Sequence, residues 1–174
     1  MNVSTSILVG EFDEFVWIRC EGKGNFVNSP LVKRVADFFI EAGKTLVVVD
    51  LQACTGMDST FMGTLAGLAI KLQKIENGAL HIARADERGQ DSLTGLGLDF
   101  LMEINPDSAV WIDRLGEIED SLRAQESQNL EEEDQAQFVL DAHKTLGEAN
   151  PENRGKFMAV VEMFENDLAR RRSS

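Results

Sequence analysis

The chain has 174 residues, of which 43% are hydrophobic and 27% are charged, a balance typical of a globular domain with a sizeable core. Acidic residues outnumber basic residues by 30 to 17, which gives a formal net charge of −13. Because nucleic acids and anionic membrane surfaces are also negative, this charge argues against both as partners. No apolar stretch is long enough to span a bilayer, and residues 1–15 lack the features of a signal peptide. We therefore expect a soluble, cytoplasmic protein.

The first part of the sequence predicts a β-hairpin followed by a helix and a buried strand. Apolar residues at 7–9 and 15–20 flank a polar turn, which is typical of a hairpin. Pro30 then lies in the first turn of a predicted helix that ends at Gly43. The apolar, β-branched run 45–51 predicts a strand that is covered on both faces.

Two further helix–strand units follow. Apolar spacing over residues 61–75 predicts a second helix, and residues 79–85 predict a strand. A third helix is expected at about 92–103, with Phe100 facing inward, and a short last strand is expected at 109–112. The element order is β-β-α-β-α-β-α-β, in which the strand–helix–strand units favour parallel pairing. The sequence therefore predicts an α/β fold with helices packed on a sheet.

The remainder of the chain is expected to form an acidic helical extension, so that we divide the chain into residues 1–122 and 123–174. Two stretches of the extension place apolar residues on one face of a helix: Phe138, Val139, Ala142 and Leu146 in the first, and Phe157, Val160, Val161, Phe164 and Leu168 in the second. A turn at residues 150–151 joins them into a predicted helical hairpin. Because neither face is stable in water, the hairpin should dock on the first domain, on itself or on a partner.

The most informative stretch is 47–65, VVVDLQACTGMDSTFMGTL. A predicted buried strand ends in Asp50, and after a short loop Asp58, Ser59 and Thr60 lie at the start of a helix. One interpretation is a well-capped helix, because all three residue types accept hydrogen bonds from the free N–H groups of a first turn. The other interpretation is that a serine hydroxyl at a helix N-terminus can be phosphorylated, since the helix dipole tolerates the added negative charge.

This stretch resembles the signature of STAS domains of the anti-sigma factor antagonist family, in which a strand ending in Asp-Leu is followed by D-S-S/T-G-L-G at a helix start. Asp50 and Asp58 have the spacing of that signature, and Gly63 matches its second glycine. Ser59 falls on the serine that a cognate anti-sigma factor kinase phosphorylates in the family. The element order is similar over about residues 5–112.

Two positions depart from the family pattern. The first glycine of the signature is replaced by Phe61, which predicts a bulkier surface beside the serine. An acidic residue that the family often has after its second strand is replaced by Asn25. The extension after residue 122 lies outside the minimal domain of the family.

The resemblance implies a STAS-like mixed β-sheet and a non-enzymatic, partner-switching regulator of transcription. Unphosphorylated, the protein would bind an anti-sigma factor that is also a serine kinase, and would thereby release the sigma factor. Phosphorylation of Ser59 would break this complex, and a PP2C-type phosphatase would restore it. The implied partner-binding residues are Asn25, Asp58, Ser59, Thr60, Phe61 and Met62.

A function of another class stays open: a non-switching STAS scaffold, as in a stressosome, or an accessory subunit of a lipid ABC transporter. The hairpin favours this alternative because it offers a surface through which a homo-oligomer could form. Co-purification with a histidine-kinase-like ATPase would support the switching regulator, and co-purification with a transporter ATPase or a large homo-assembly would support the alternative.

Other chemistry has little support in the sequence. There is no phosphate-binding glycine loop and no nucleophile elbow, and the acidic residues form no recognisable acid–base pair. His81 and His143 lack a second ligand at metal-binding spacing, so that we expect structural roles for both and neither a metal nor a cofactor. Cys20 and Cys54 form no CxxC motif, and we expect them to be small buried apolar residues.

Overall fold

A seven-stranded β-sheet lies at the centre of the computed structural model, which describes residues 5–127 and 129–173. The strands are β1 (Ser6–Glu11), β2 (Val16–Gly24), β3 (Leu46–Asp50), β4 (Cys54–Met57), β5 (Ala79–Ala83), β6 (Glu103–Ile104) and β7 (Arg123–Gln125). The helices are α1 (Ser29–Glu41), α2 (Ser59–Gln73), α3 (Glu87–Gly95), α4 (Leu115–Ser121), α5 (Glu132–Ala149) and α6 (Glu152–Arg172). Among the helices of the described residues, none combines the length and the hydropathy of a membrane-spanning segment.

The strand order is β6-β5-β3-β2-β1-β7, and β4 pairs separately with β2. The strands β1 and β2 form an antiparallel hairpin, whereas β2, β3, β5 and β6 pair in parallel. The sheet is therefore mixed, as predicted. The predicted burial of β3 on both faces is also confirmed, because residues 47–49 are fully buried. They contact one apolar cluster under α1 and α2 and a second cluster on the opposite face of the sheet.

Two expectations in the third helix–strand unit were wrong. The helix α3 begins at Glu87, because the Asp86 carboxylate accepts a hydrogen bond from the backbone N–H of Gly89 at 2.8 Å and caps it. It ends at Gly95, so that Phe100 lies in a short 3₁₀ turn and is 86% exposed instead of facing inward. Residues 109–112 form no strand, and the last parallel strand is β6.

Three short elements have no counterpart in the prediction: β4, α4 and β7. The strand β7 pairs antiparallel with β1, so that the sheet continues directly beyond residue 122. In place of the strand expected at 109–112, Trp111 packs edge-on against Trp17 with the ring centres 5.3 Å apart. Its indole N–H donates to Nδ1 of His81 at 3.0 Å, which gives that histidine the structural role expected for it.

The predicted C-terminal hairpin is confirmed: its two helices pack against each other, and α5 also packs against α2. Ala136, Leu140 and Leu168 are buried between α5 and α6. Leu146 of α5 reaches into the main core of the sheet domain and is fully buried there. Burial of one such side chain stabilises the docked hairpin by about 1.5–3 kcal/mol. The hairpin therefore has a small core of its own, and it also contacts the main core through Leu146, Ala149 and Phe157.

Asp50, at the end of β3, is fully buried and is surrounded by donors. Its carboxylate accepts hydrogen bonds from the backbone N–H of Gln52 at 3.0 Å, from the indole N–H of Trp17 at 3.2 Å and from two N–H groups of Arg84. Arg19 lies 4.0 Å from the same carboxylate. A buried charge is tolerated when it is paired and hydrogen-bonded in this way, so that Asp50 ties together β2, β3 and the segments that follow β3 and β5.

Replacing Asp50 by Asn is expected to lower the free energy of unfolding by about 3–5 kcal/mol, because both arginines lose their buried counter-charge. Glu119→Gln is the matched control: Glu119 pairs with the same two arginines but is 41% exposed. It should cost no more than about 1 kcal/mol. Urea denaturation of the two variants measures the difference, and equal losses would contradict the role given to Asp50.

The two cysteines lie on the neighbouring strands β2 and β4 and differ in their surroundings. Cys20 is fully buried, as expected, whereas Cys54 is only half-buried and lines a cavity of about 160 Å³. A hydrogen bond from Cys20 lowers the pKa of Cys54 to about 6, although burial acts in the opposite direction. The same hydrogen bond, together with burial, raises the pKa of Cys20. These surroundings favour ionisation of Cys54 over Cys20, which was not expected from the sequence.

Alkylation of Cys54 by iodoacetamide should consequently rise with pH through about 6 and level off near neutrality. An ordinary thiol, with a pKa of about 8.5, would still gain reactivity above neutrality. Cys20→Ala removes the hydrogen-bond donor and should move the midpoint of Cys54 upward. Peptide mass spectrometry over a pH series measures both profiles, and a wild-type midpoint near that of an ordinary thiol would refute the assignment.

Candidate functional site

The loop between β2 and α1 forms one side of the site, and Asn25 shapes it. The Asn25 side-chain oxygen accepts hydrogen bonds from the backbone N–H groups of Val27 at 2.9 Å and Asn28 at 3.3 Å. In turn, the Asn28 side-chain oxygen accepts a hydrogen bond from the backbone N–H of Asn25 at 2.9 Å. These bonds form a tight turn that leaves the apolar side chains of Phe26 and Val27 exposed at its tip.

Asp58 joins this loop to the start of α2. One oxygen of its carboxylate accepts from the backbone N–H of Phe61 at 2.8 Å, which caps the helix. The other oxygen accepts from the backbone N–H of Phe26 at 2.9 Å. The Asp58 backbone N–H donates to the carbonyl of Gly24 at 2.9 Å. Asp58 therefore fixes the relative position of the two segments that carry the predicted site residues.

Ser59 is the first residue of α2, and its hydroxyl contacts the C-terminal hairpin. Its Oγ lies 2.8 Å from Nε2 of His143, a buried residue of α5. The other ring nitrogen of His143 lies 2.7 Å from the carbonyl oxygen of Val139, which can only accept a hydrogen bond. In the neutral ring, Nδ1 therefore holds the proton, and Nε2 accepts from the serine hydroxyl. The ring also packs edge-on against Phe157 of α6 at 5.1 Å.

Gly63, one turn further along α2, allows α5 to approach closely. A Cβ atom at this position would lie 2.4 Å from the backbone carbonyl oxygen of Ala142, much closer than van der Waals contact permits. At Gly67, on the next turn, a Cβ would lie 3.7 Å from a methyl group of Thr145, which is an ordinary contact. The absence of a side chain at Gly63 is thus a requirement for the observed position of α5, and hence for the contact between His143 and Ser59.

The remaining predicted site residues on α2 lie mostly inside the protein. Phe61 is fully buried, and its ring fits against Gly24, where a Cβ would lie 2.8 Å from the ring. Thr60 and Met62 are also buried. In this arrangement the three side chains offer little surface to a partner, and the bulky residue expected beside the serine points inward. Of the predicted residues, the structure brings Asn25, Asp58 and Ser59 together through the loop and the helix start.

A groove of about 410 Å³ lies where the loop, α2 and the hairpin meet. Its apolar lining comes from Phe26, Ala136, Val139 and Phe164, and Thr60 forms part of its wall. Charged residues from both hairpin helices, including Glu132 and Asp167, also line it. Within the described residues, no group of three or more His, Cys, Asp or Glu side chains is arranged to hold a metal ion.

His143 is the functional candidate that the sequence did not indicate, since we expected a structural role for it. It lies 84 positions from Ser59 along the chain. The only local sign was its place beside Ala142 on the apolar face of a predicted helix. Which segment that face would cover depends on tertiary packing, which periodicity does not reveal.

Solved structures of other proteins share this fold. An anti-sigma factor antagonist from Mycobacterium paratuberculosis is 22% identical with a TM-score of 0.55, and the match covers 69% of this chain and 98% of that one. The protein TM1081 from Thermotoga maritima is 19% identical with a TM-score of 0.52, covering 64% and 92%. The anti-sigma factor antagonist SpoIIAA in its unphosphorylated form is 17% identical with a TM-score of 0.50, covering 64% and 97%. At these identities the likeness is one of fold.

A sequence search among curated proteins gives no significant match. The sequence does match the family described as STAS domain over residues 6–110, which is more than half of the chain. The matched region contains the strands β1–β6 and the helices α1–α3, and it includes Asp58 and Ser59. It ends before α4, β7 and the C-terminal hairpin. The chain therefore belongs to the STAS domain family.

Proposed function

We propose that this protein is an anti-sigma factor antagonist that switches between partners through phosphorylation of Ser59. The observation that supports this most directly is the division of roles at the start of α2. Asp58 caps the helix, so that the Ser59 hydroxyl is not needed for capping and contacts a side chain instead of the backbone. Of the two interpretations left open by the sequence, helix capping therefore accounts for Asp58 but not for Ser59.

The chemistry of the position also supports the proposal. In the reaction, the γ-phosphoryl group of ATP passes to Oγ of Ser59, ADP leaves, and the hydroxyl proton passes to a base of the kinase. The phosphate then lies at the N-terminus of a 15-residue helix, whose dipole stabilises negative charge. It also lies next to the Asp58 carboxylate and adds about −1.5 to −2 charge to the surface that a partner would contact. The helix α2 tolerates this charge at its N-terminus, whereas an interface built for a neutral serine does not.

The partners follow from the same proposal. The unphosphorylated protein binds an anti-sigma factor with serine kinase activity, and a PP2C-type phosphatase removes the phosphate. The exposed Phe26 and Val27 at the tip of the loop, which Asp58 holds beside Ser59, are apolar side chains available for such a contact. Anti-sigma factor antagonists among the structural relatives are consistent with this role.

A second candidate function is a STAS scaffold or accessory subunit that does not switch. The contact between Ser59 and His143 favours it, because the candidate phosphorylation site is engaged by the chain itself. The two candidates differ in the protein that co-purifies: a kinase of the histidine-kinase-like ATPase class for the switch, and a transporter ATPase or a large homo-assembly for the scaffold.

The proposed switch predicts that Ser59 is the main phosphorylation site. Incubation with ATP and the co-purifying kinase, followed by phosphopeptide mapping, should place the phosphate on Ser59, and Ser59→Ala should abolish labelling. Thr60→Val is the matched control, because Thr60 is the adjacent hydroxyl residue but is buried. This variant should be labelled like the wild type. Phosphate confined to Thr60, or to serines outside α2, would refute the proposed switch.

A further inference from the structure

The face of α2 that contains Ser59 is occupied by α5 of the same chain. Thr60, Gly63 and Thr64 follow Ser59 on this helix and are buried. The hydroxyl of Ser59 is hydrogen-bonded to His143, and the carbonyl of Ala142 lies in the space left by the absent side chain of Gly63. We call these four residues of α2 the covered face. A partner protein that contacts Ser59 and the covered face of α2 would have to displace α5.

The hairpin has a core of its own, which would hold its two helices together if they left this face. Its helices bury Ala136, Leu140 and Leu168 between themselves, and these contacts persist when the hairpin moves away. Among the described residues of the hairpin, only Leu146 is fully buried as a large apolar member of the main core. The other contacts with the sheet domain include the partly buried Ala149 and Phe157, which pack against the same core, and hydrogen bonds such as the one from the Asn153 side chain to the carbonyl of Leu96 at 3.0 Å.

Ser59 is half-buried, and the docked α5 engages its hydroxyl through His143. The Ser59 hydroxyl oxygen lies at hydrogen-bond distance from a buried ring nitrogen, which leaves no room between them for a phosphorus atom and three oxygens. Because α5 already rests directly on α2 at Gly63, room for a phosphate between the two side chains requires α5 to move outward.

We infer that the α5–α6 hairpin is a built-in cover of Ser59, so that a kinase reaches the serine only after α5 has left α2. The regulatory role of the cover rests on the proposed function, but the existence of the cover can be tested without a kinase. A partner must bind the open form better than the closed form in order to shift the balance between them.

Gly63→Ala is the variant that opens the cover. The added methyl group cannot fit against the Ala142 carbonyl, so that α5 must move away, while alanine is a better helix former than glycine and leaves α2 intact. Gly67→Ala is the matched control. It makes the same change of residue one turn later in the same helix, where the methyl group meets only ordinary contact.

The full-length chain with Ser59→Cys provides a probe at the serine itself. Alkylation of the introduced thiol, measured by peptide mass spectrometry, should be slow in this background and equally slow after Gly67→Ala. After Gly63→Ala it should be faster by roughly tenfold or more, because minor open states are typically populated at about 0.1–10%. Circular dichroism should show that both glycine variants remain folded. Equal alkylation rates in the two glycine variants would overturn the inference.

A second measurement uses the natural serine. Hydrogen exchange of the full-length Gly63→Ala variant should increase in residues 132–149 and at the start of α2, and the Gly67→Ala variant should match the wild type. The addition of kinase and ATP then separates the two proposals. If hydrogen exchange shows that the hairpin opens in Gly63→Ala but the kinase does not phosphorylate Ser59, the result would support the inference and refute the proposed switch. Equal exchange and equal phosphorylation in all variants would support the switch and refute the cover.

Discussion

The position of the C-terminal hairpin depends on the close approach of α5 to α2 at Gly63. Because no side chain separates the two helices there, the backbone of Ala142 rests directly on α2. This spacing brings His143 within hydrogen-bond distance of Ser59 and allows Leu146 to enter the main core. Gly63, which matches the second glycine of the STAS signature, thus has a second role in this chain: it is the position at which α5, a helix outside the family domain, packs against α2.

Much of the fold and part of the site could be predicted from local patterns. The hairpin of β1 and β2, the doubly covered strand β3 and the helix α2 each follow from a clear hydrophobic period. The position of Ser59 at a helix start followed from its polar neighbours. The errors lie where the apolar pattern is weak: the start of α3 is set by a single capping residue, Asp86, and short strands such as β7 exist only because a neighbouring strand pairs with them.

The contact between Ser59 and His143 shows why the rest of the site could not be predicted. Each residue has an ordinary local explanation, one as part of a helix start and the other as part of an apolar helix face. Their meeting depends on how two helices far apart in the sequence pack together. The replacement of a signature glycine by Phe61 is a similar case. The sequence indicated a bulky surface, whereas the ring lies inside and fits against Gly24, which lacks a side chain that would obstruct it.

Because the connection between β7 and α5 is short, the contact of the hairpin with α2 does not depend on the protein concentration. Since β7 is paired with β1, and α5 begins at Glu132, only residues 126–131 link the hairpin to the sheet. Segments joined by so short a tether meet at effective concentrations on the order of millimolar, whatever the concentration of the protein. A competitor for the same face of α2 does not share this advantage. Occupancy by α5 is therefore insensitive to dilution, whereas displacement depends on how much of the competing protein is present.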